Sequence, residues 1–311
     1  KNKRNNSMRG LSKRKTFNYK QSPDPKNEKA RLIYQQALIE GKGKIRIRRP
    51  KKWLYPMAAE RQYQRQLVAI NRIQWKFIAE NIIPELPSLV SQAQIIRSDG
   101  NDIKSDNVLW VDQLKQLTEK SYHDFEKAVG KPRIEEISIE QAEKISAMNQ
   151  KQFVKVIHSS IRITPIVEAS WRDSAMPIFQ AENTDLITNL SVDQSKRVEQ
   201  TLYRNLSAGN GIKAIKKELI KDKEFGKNRS RRIARDQTNK FNGKLTELRQ
   251  REVGIGSYIW TTAGDERVRS SHAHLDGKVI KWNSPPAIGH PGQPIECRCI
   301  AQPVINDDMF N

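Results

Sequence analysis

Residues whose types and spacing could carry chemistry are concentrated between Trp260 and Cys299. This stretch contains His272 and His274, separated by one residue, and the only two cysteines of the chain, in a Cys-x-Cys arrangement. Imidazole and thiolate are the ligands that tetrahedral Zn²⁺ takes in proteins. A strand through the two histidines would place both rings on one face. One of three interpretations of the stretch is therefore a zinc site formed by His272, His274, Cys297 and Cys299.

A second interpretation of the same stretch is catalysis. Asp265, His272 and Asp276 are residue types that serve as general acids and bases, and a histidine with acidic residues also suits a metal-dependent nuclease. The pattern specifies neither a nucleophile nor a substrate pocket, so no catalytic residue is assigned and we expect the protein not to be an enzyme. A metal-dependent hydrolase or nuclease centred on His272 and Asp265 is the alternative function.

The third interpretation, which we favour, is a structural polar network. The carboxylate of Asp265 would accept paired hydrogen bonds from an arginine side chain. The candidate donors are Arg267, Arg269 and Arg298. His272 would bond to a buried loop carbonyl, and Gly277 would adopt a positive φ in a Leu-Asp-Gly turn. Both cysteines would be small buried apolar residues, and the protein would hold no cofactor.

Net charge divides the chain into a strongly basic start and a nearly balanced remainder. Residues 1–52 contain 18 Lys and Arg against three acidic residues, a net +15, which leaves +6 of the total +21 for residues 53–311. Basic arms bind polyanions through counterion release. We therefore predict that a flexible arm contacts nucleic acid, although a solvated tail that promotes solubility also fits this charge. The residues predicted to bind nucleic acid are Lys13, Arg14, Lys15, Lys44, Arg46, Arg48, Arg49, Lys51 and Lys52.

The predicted fold is mostly α-helical, with long helices and a small α+β domain at the C-terminal end. Apolar residues recur at helical spacing over residues 57–83, 107–128, 138–158, 183–190, 193–205 and 211–219. Gly130 and Pro132 would end one helix, and Ser138 would be the N-cap of the next. Alternating β-branched and aromatic residues predict strands at 257–262, 278–282 and 298–304, the last an edge strand because of Pro303.

The predicted organisation has four consecutive parts. They are a basic flexible arm (1–52), a helical region (53–160), a second helical region (161–250) and a sheet-containing part with the Cys-x-Cys motif (251–311). Residues 42–52 alternate isoleucine with basic residues, which fits either a short edge strand or a strap along phosphates.

Composition argues against several classes of protein. No window of 18 consecutive apolar residues occurs, so we expect no transmembrane helix. No apolar stretch follows the basic N-terminal residues, as it would in a signal peptide. Two cysteines do not make a disulfide framework, which favours a reducing, cytosolic origin.

The pattern from Trp260 to Cys299 resembles the signature of the phage Mu F-like minor head (head-morphogenesis) family of tailed bacteriophages. The signature positions in this chain are Asp265, Arg267, Arg269, His272, Asp276, Gly277, Cys297, Arg298 and Cys299. Upstream, residues 234–239 (Ala-Arg-Asp-Gln-Thr-Asn) resemble the helix that precedes the signature in that family. The resemblance covers about residues 165–305. His274 and His290 are not signature positions, which weakens the four-ligand zinc interpretation.

The resemblance implies a role in phage assembly. Members of the family are minor head proteins that attach to the portal inside the procapsid and are linked to assembly and DNA delivery. The implied partners are the portal protein, the major capsid protein or scaffold, and packaged double-stranded DNA, with no membrane partner. The implied location is the virion, in the head interior at the portal vertex, and the host cytoplasm during assembly. A chromatin-like basic binding protein is a further hypothesis, but a simple DNA coat would not need the Cys-Arg-Cys motif.

Overall fold

A computed structural model describes residues 16–18, 44–98, 109–165 and 172–305 of the 311-residue chain. The fold of these residues is mostly α-helical with a small antiparallel sheet near the C-terminal end, as predicted. The helices are α1 (Met57–Asn81), α2 (Leu86–Ser98), α3 (Leu109–Ile161), α4 (Arg172–Ser207), α5 (Ile212–Glu252) and the single turn α6 (Ser270–Ala273), with a 3-10 helix at Ile83–Glu85. The strands are β1 (Thr16–Asn18), β2 (Lys44–Arg46), β3 (Ser257–Thr261), β4 (Val279–Lys281) and β5 (Ile300–Pro303). None of the described helices has an apolar stretch that could cross a bilayer.

The chain divides into two compact units whose segments alternate along the sequence. The first unit comprises Lys1–Ala59, Ala142–Met176 and Asp236–Asn311, and the second comprises Glu60–Gln141 and Pro177–Arg235. The four parts predicted from the sequence instead follow one another along the chain. The unit boundaries fall inside α1, α3, α4 and α5, where helical periodicity continues without a break.

The second unit is helical throughout its described residues. Its core consists of two apolar clusters, one around Trp75, Leu86 and Trp110, the other around Tyr63 and Phe125. The Tyr63 hydroxyl is buried and donates a hydrogen bond to Asn183 Oδ1 at 2.6 Å, so its polar atom is satisfied within the core. The amphipathic periodicity of these helices places their apolar residues on the faces that pack together in the two clusters.

Helix α3 has a break at Gly130, as the sequence predicts, but resumes earlier than expected. Gly130 has φ 63° and ψ 155°, and helical geometry continues directly after it. Pro132 is tolerated because a proline in the first turn removes a backbone N–H that has no helical acceptor anyway. The prediction that Ser138 caps a new helix is wrong, since its buried hydroxyl donates to Ile134 O inside the helix at 3.0 Å.

Helices α4 and α5 are each longer than the sequence predicts. The segments expected at 183–190 and 193–205 are parts of one helix, in which Ser191 donates its hydroxyl to Ile187 O. The short helix expected at 211–219 continues to Glu252 as α5. Polar residues in the middle of both helices bond within their own turns or pack inside, so they do not interrupt the backbone ladder.

The C-terminal sheet belongs to the first unit and has the order β4-β3-β5, with both pairs antiparallel. Burial alternates along β3, so that Tyr258 and Trp260 face a small core with Trp282 and the two cysteines. The three strands lie where the sequence predicts them, and β5, which contains Pro303, is an edge strand. A second apolar cluster of this unit centres on Trp53, Phe153 and Ile300.

Most of the predicted basic arm lies outside the described residues, including Lys13, Arg14 and Lys15. Two of its short segments form strands: β2 pairs antiparallel with β1, with Arg46 opposite Thr16 and Lys44 opposite Asn18. Of the two forms considered for residues 42–52, the strand is therefore observed over Lys44–Arg46.

Candidate functional site

Three of the predicted metal-binding side chains converge in the first unit. His272 lies in the single turn α6, and Cys297 and Cys299 lie immediately before β5. His272 Nδ1 is 3.3 Å from Cys299 Sγ and 3.7 Å from Cys297 Sγ. All three ligand atoms lie within 4.8 Å of one another, and the three residues are 3–6% exposed. We call these three residues the His-Cys-Cys cluster.

His274 does not join this cluster, which corrects the four-ligand prediction. Its exposed ring contacts Lys278 Nζ through Nε2 at 2.9 Å. The prediction assumed a strand, in which residues two apart share a face, but α6 is helical and successive residues turn by about 100°. Among the described residues, the hydrogen bond expected from His272 to a loop carbonyl is not observed either. Its Nδ1 instead contacts the sulfur atoms of the two cysteines.

The two thiols of the cluster influence each other. The neighbouring Cys299 thiol lowers the pKa of Cys297, because it stabilises the Cys297 thiolate. The proximity of Cys297, together with burial, raises the pKa of Cys299. The pair therefore favours one thiolate at Cys297, and the thiolate is the form of cysteine that binds metals.

Two arginine contacts join the segments that carry the cluster. Arg298 donates two hydrogen bonds to Asp265, at 2.7 Å each, and is the one of the three candidate arginines that pairs with this carboxylate. Arg269 instead donates to Ile295 O at 2.6 Å. The backbone N–H of Arg267 donates to Asp265 Oδ1 at 3.2 Å. These contacts fix the turn that follows β3 against the residues around the cysteines.

Two further signature positions shape the turn between β3 and β4. Asp276 Oδ1 accepts hydrogen bonds from the backbone N–H and the hydroxyl of Thr262, at 2.8 and 3.0 Å. Gly277 has φ +79°, the positive value that the sequence predicts. Its N–H donates to Trp260 O at 2.8 Å, which closes the turn. Trp260 in turn packs edge-on against the His272 ring, with centroids 5.6 Å apart.

The second half of α5 holds the C-terminal region by polar contacts that the sequence does not reveal. Asp236, within the stretch that resembles the upstream family helix, accepts the backbone N–H of Glu296 at 2.8 Å. The buried amide of Gln250 donates to Ala301 O at 2.9 Å and accepts the indole N–H of Trp282 at 3.1 Å. Helical periodicity marks which residues face inward, but it does not reveal which distant backbone groups they bond.

His290 is a further buried histidine, for which the sequence assigns no role. Its Nδ1 lies 2.8 Å from the Tyr258 hydroxyl, and its ring packs against Trp282 with centroids 4.9 Å apart. Burial lowers the pKa of His290 and raises that of Tyr258, so the uncharged forms of both groups are favoured. The neutral phenol then donates its O–H to the neutral imidazole.

Four of the residues predicted to bind nucleic acid lie in an anchored stretch, residues 48–52, which we call the basic segment. Arg48 donates its N–H to Ser160 O at 2.9 Å and accepts the Ser160 hydroxyl at 2.5 Å. Lys51 N–H donates to Ser159 Oγ at 2.8 Å, and Lys51 O accepts the side-chain amide of Gln302 at 3.0 Å. This part of the predicted flexible arm is therefore held against α3 and β5.

Arg48, Arg49, Lys51 and Lys52 are exposed. The basic segment thus presents four cationic side chains along five consecutive residues. Lys44 and Arg46 lie in β2. The structure therefore brings together a row of positive charge on a backbone that is fixed by hydrogen bonds.

The described residues do not assemble the acid-histidine pair of the alternative hydrolase. Asp265 is paired with Arg298 and is not among the ligand atoms that surround His272. Asp276 is bonded to Thr262. A carboxylate held by a bidentate arginine is stabilised as an anion and is a poor proton acceptor.

Comparison with known proteins identifies a related family. Residues 196–302 match the family model described as "Phage Mu protein F like protein". A protein of Haemophilus influenzae with the description "Uncharacterized protein" is 36% identical over 132 residues, which are 41% of this chain and 29% of the relative, so the match spans less than a third of that relative. No solved structure matches. The matched residues include all of α5, the signature positions and the His-Cys-Cys cluster, and the resemblance to the phage Mu F-like family is therefore confirmed over residues 196–302.

Proposed function

We propose that the protein is a minor head protein of a tailed bacteriophage, which docks on the portal inside the head and contacts packaged DNA. The observation that carries the proposal is the match of residues 196–302 to the phage Mu F-like family. The proposed role is structural and not enzymatic. In support, the carboxylate of Asp265 is engaged by Arg298 and so does not pair with His272 as the alternative hydrolase would require.

The basic segment is the proposed DNA contact. An extended chain rises about 3.3–3.6 Å per residue, so its cations are distributed over a length comparable to several phosphates of duplex DNA. Its backbone is fixed at Arg48 and Lys51, and Trp53, which follows it, is buried in an apolar cluster. A row of charges on a fixed backbone loses less conformational entropy on binding than the same charges on a free chain.

DNA binding by this segment can be measured through its salt dependence. The variant Arg48→Gln/Arg49→Gln/Lys51→Gln/Lys52→Gln should bind duplex DNA more weakly in fluorescence anisotropy. If each cation neutralises one phosphate, the negative slope of log K against log salt concentration should become shallower by about 3–4. Each lost contact removes about 0.9 from its magnitude.

A matched control removes four exposed cations from α5. Lys216, Lys217, Arg231 and Arg232 lie on exposed positions of this helix, and their substitution by Gln changes the net charge by the same amount. This control should retain most of the salt dependence. Equal losses in both variants would show that DNA binding follows total charge, and the assignment to residues 48–52 would be wrong.

Portal docking is tested separately by co-sedimentation. The full chain should sediment with purified portal oligomers of the same phage, and less of it should sediment with capsid shells assembled without a portal. Saturation at a fixed ratio of chain to portal would support a defined docking site. Absence of co-sedimentation at low and moderate salt would refute portal docking while leaving the DNA experiment unaffected.

A further inference from the structure

We propose that His272, Cys297 and Cys299 bind a zinc ion that acts as a structural centre of the C-terminal region. The proposal does not depend on the phage function and rests on the geometry, chemistry and burial of these three side chains. The chemical class of the ligand is a thiophilic divalent cation with tetrahedral preference.

The separations between the ligand atoms fit a tetrahedral ion. With Zn–S bonds near 2.3 Å and Zn–N bonds near 2.0–2.1 Å, tetrahedral angles place N and S about 3.6 Å apart. The observed distances from His272 Nδ1 to the two sulfurs are 3.3 and 3.7 Å, on either side of that value. The same geometry places two sulfurs about 3.8 Å apart, and all three ligand atoms lie within 4.8 Å of one another. One ion therefore fits between them without rearrangement of the backbone.

The donor types select the metal. Two thiols and one imidazole are soft or borderline ligands, which favour Zn²⁺ and disfavour Mg²⁺ and Ca²⁺, whose ligands are oxygens. No fourth His, Cys, Asp or Glu of the described residues joins the three, so a structural ion here would take its fourth ligand from a donor of another type. Both cysteines are in the reduced form and buried.

The surroundings hold the three ligands in place. His272 packs edge-on against Trp260, which is itself fully buried beside both cysteines. Arg298, which lies between the two cysteines, is fixed to Asp265 by two hydrogen bonds. These contacts limit the movement of the side chain of His272 and of the backbone that carries the two cysteines, and such support around a metal site favours binding.

A metal at this position would join His272 to Cys297 and Cys299, which lie 25 and 27 residues later in the sequence. The small core around Tyr258, Trp260 and Trp282 buries only a few large side chains. Regions with so little apolar burial are commonly stabilised by a metal, because the free energy of binding then adds to the free energy of folding. The ion would hold α6 against β5, and its loss would loosen the C-terminal region.

The experiment uses the full chain, expressed with zinc in the medium and purified without chelator. Elemental analysis should find about one zinc ion per chain. After removal of zinc, titration with Co²⁺ should give intense visible bands of tetrahedral cobalt and a near-ultraviolet thiolate-to-cobalt charge-transfer band. The variants Cys297→Ser, Cys299→Ser and His272→Ala should each lower zinc affinity by more than the roughly 10–100-fold that loss of an outer contact causes.

His274→Ala is the matched control, since His274 is two residues from His272 but exposed and outside the cluster. It should bind zinc as the unaltered chain does. If the cluster variants do not fold, the cobalt titration of the unaltered chain decides the question. A chain that contains no stoichiometric zinc and gives no thiolate-to-cobalt band would overturn the proposal, and the three residues would then form a hydrogen-bonded thiol-imidazole group without metal. Equal zinc loss in His274→Ala would also contradict the assigned ligands.

Discussion

Arg298 and Asp265 form a bidentate ion pair, with Nη1 2.7 Å from Oδ2 and Nη2 2.7 Å from Oδ1. The pair joins the turn after β3 to the residue between Cys297 and Cys299, so it ties together the two segments that carry the His-Cys-Cys cluster. The hydrogen bonds from Arg298 lower the pKa of Asp265 below its ordinary 3.8. The contribution of the pair to stability is therefore complete above that ordinary pKa and is lost as pH falls through the lowered value.

Replacement of Asp265 by Asn should lower the thermal midpoint at neutral pH, because one charged partner of Arg298 is lost. The carboxylate is exposed, so we expect a drop of only about 1–3 °C. The difference from the unaltered chain should shrink as the pH is lowered below 3.8. Melting followed by circular dichroism over a pH series measures both effects. The neighbouring exposed acid Glu266 gives the control Glu266→Gln, which should leave the midpoint unchanged.

Gly243 and Gly292 pack closely against backbone carbonyls, so their replacement by alanine should lower stability. A Cβ on Gly243 of α5 would lie 2.4 Å from Pro291 O, and one on Gly292 would lie 2.5 Å from Asn239 O. Helix and loop thus approach backbone to backbone. Either Gly→Ala substitution should destabilise the protein by about 1–3 kcal/mol, since the atom that must move is a backbone carbonyl.

The two substitutions should differ in size. In Gly243→Ala a gain in helix propensity of up to about 1 kcal/mol opposes the clash. Gly292 has φ +95°, so Gly292→Ala adds backbone strain to the clash and should be the more damaging. Urea unfolding measures the free energies. Gly256→Ala is the control, because Gly256 faces open space and has no positive φ. Equal stability of all three variants would contradict the close approach.

Local patterns in the sequence predict the helices and strands of the fold better than they predict its tertiary contacts. The alternation around Tyr258 and Trp260 predicts β3 and its buried face, because period-two burial is visible in the residues themselves. Gly130 likewise marks the break in α3. The prediction fails at Ser138, because in the sequence alone a serine at this position fits an N-cap as well as a helix interior. In the structure its hydroxyl bonds to Ile134 O within one helix.

Part of the candidate site is also visible in the sequence. The types of His272, Cys297 and Cys299 suggest a shared site, and the structure brings them together. The inclusion of His274 fails because it depended on a strand where the chain forms the single turn α6. Gln250 bonds groups 32 and 51 residues away, and no local pattern specifies such distant partners.

The buried histidine His290 predicts a pH dependence of stability. Burial lowers its pKa from the ordinary 6.5, so the folded protein binds this proton less readily than the unfolded chain. Stability should therefore begin to fall as the pH drops below 6.5 and should continue to fall until the lowered pKa is reached. The expected slope in that window is up to about 1.4 kcal/mol per pH unit.

Denaturant unfolding at a series of pH values between about 7.5 and 5.5 measures this slope. The variant His290→Gln should be less stable at the upper end of the series, because the imidazole acceptor of the Tyr258 hydroxyl is lost. Its slope should also be smaller than that of the unaltered chain. The control His123→Gln removes an exposed histidine and should keep the slope of the unaltered chain. An unchanged slope in His290→Gln would assign the pH dependence to another group.

The anchoring of the basic segment depends on Gln302 of β5. Its Oε1 accepts the Trp53 N–H at 2.6 Å, and its Nε2 donates to Lys51 O at 3.0 Å, so one side chain bonds the backbone at two points. Gln302→Leu keeps the approximate size of the side chain but removes both bonds, each of which contributes about 1 kcal/mol. Local opening of residues 48–52 should then increase by roughly tenfold or more.

Limited trypsin digestion followed by mass spectrometry detects this opening, since trypsin can cut after Arg48, Lys51 and Lys52, whereas Arg49 precedes Pro50 and is not cut. Gln302→Glu is the graded comparison, because the acceptor of the Trp53 bond remains while the donor to Lys51 O is lost. Cleavage within the basic segment should be slowest in the unaltered chain, faster in Gln302→Glu and fastest in Gln302→Leu. If the basic segment binds DNA as a fixed row of charges, Gln302→Leu should also weaken DNA binding although no charge has changed. Faster cleavage with unaltered DNA affinity would show that the charges bind equally well without the anchor.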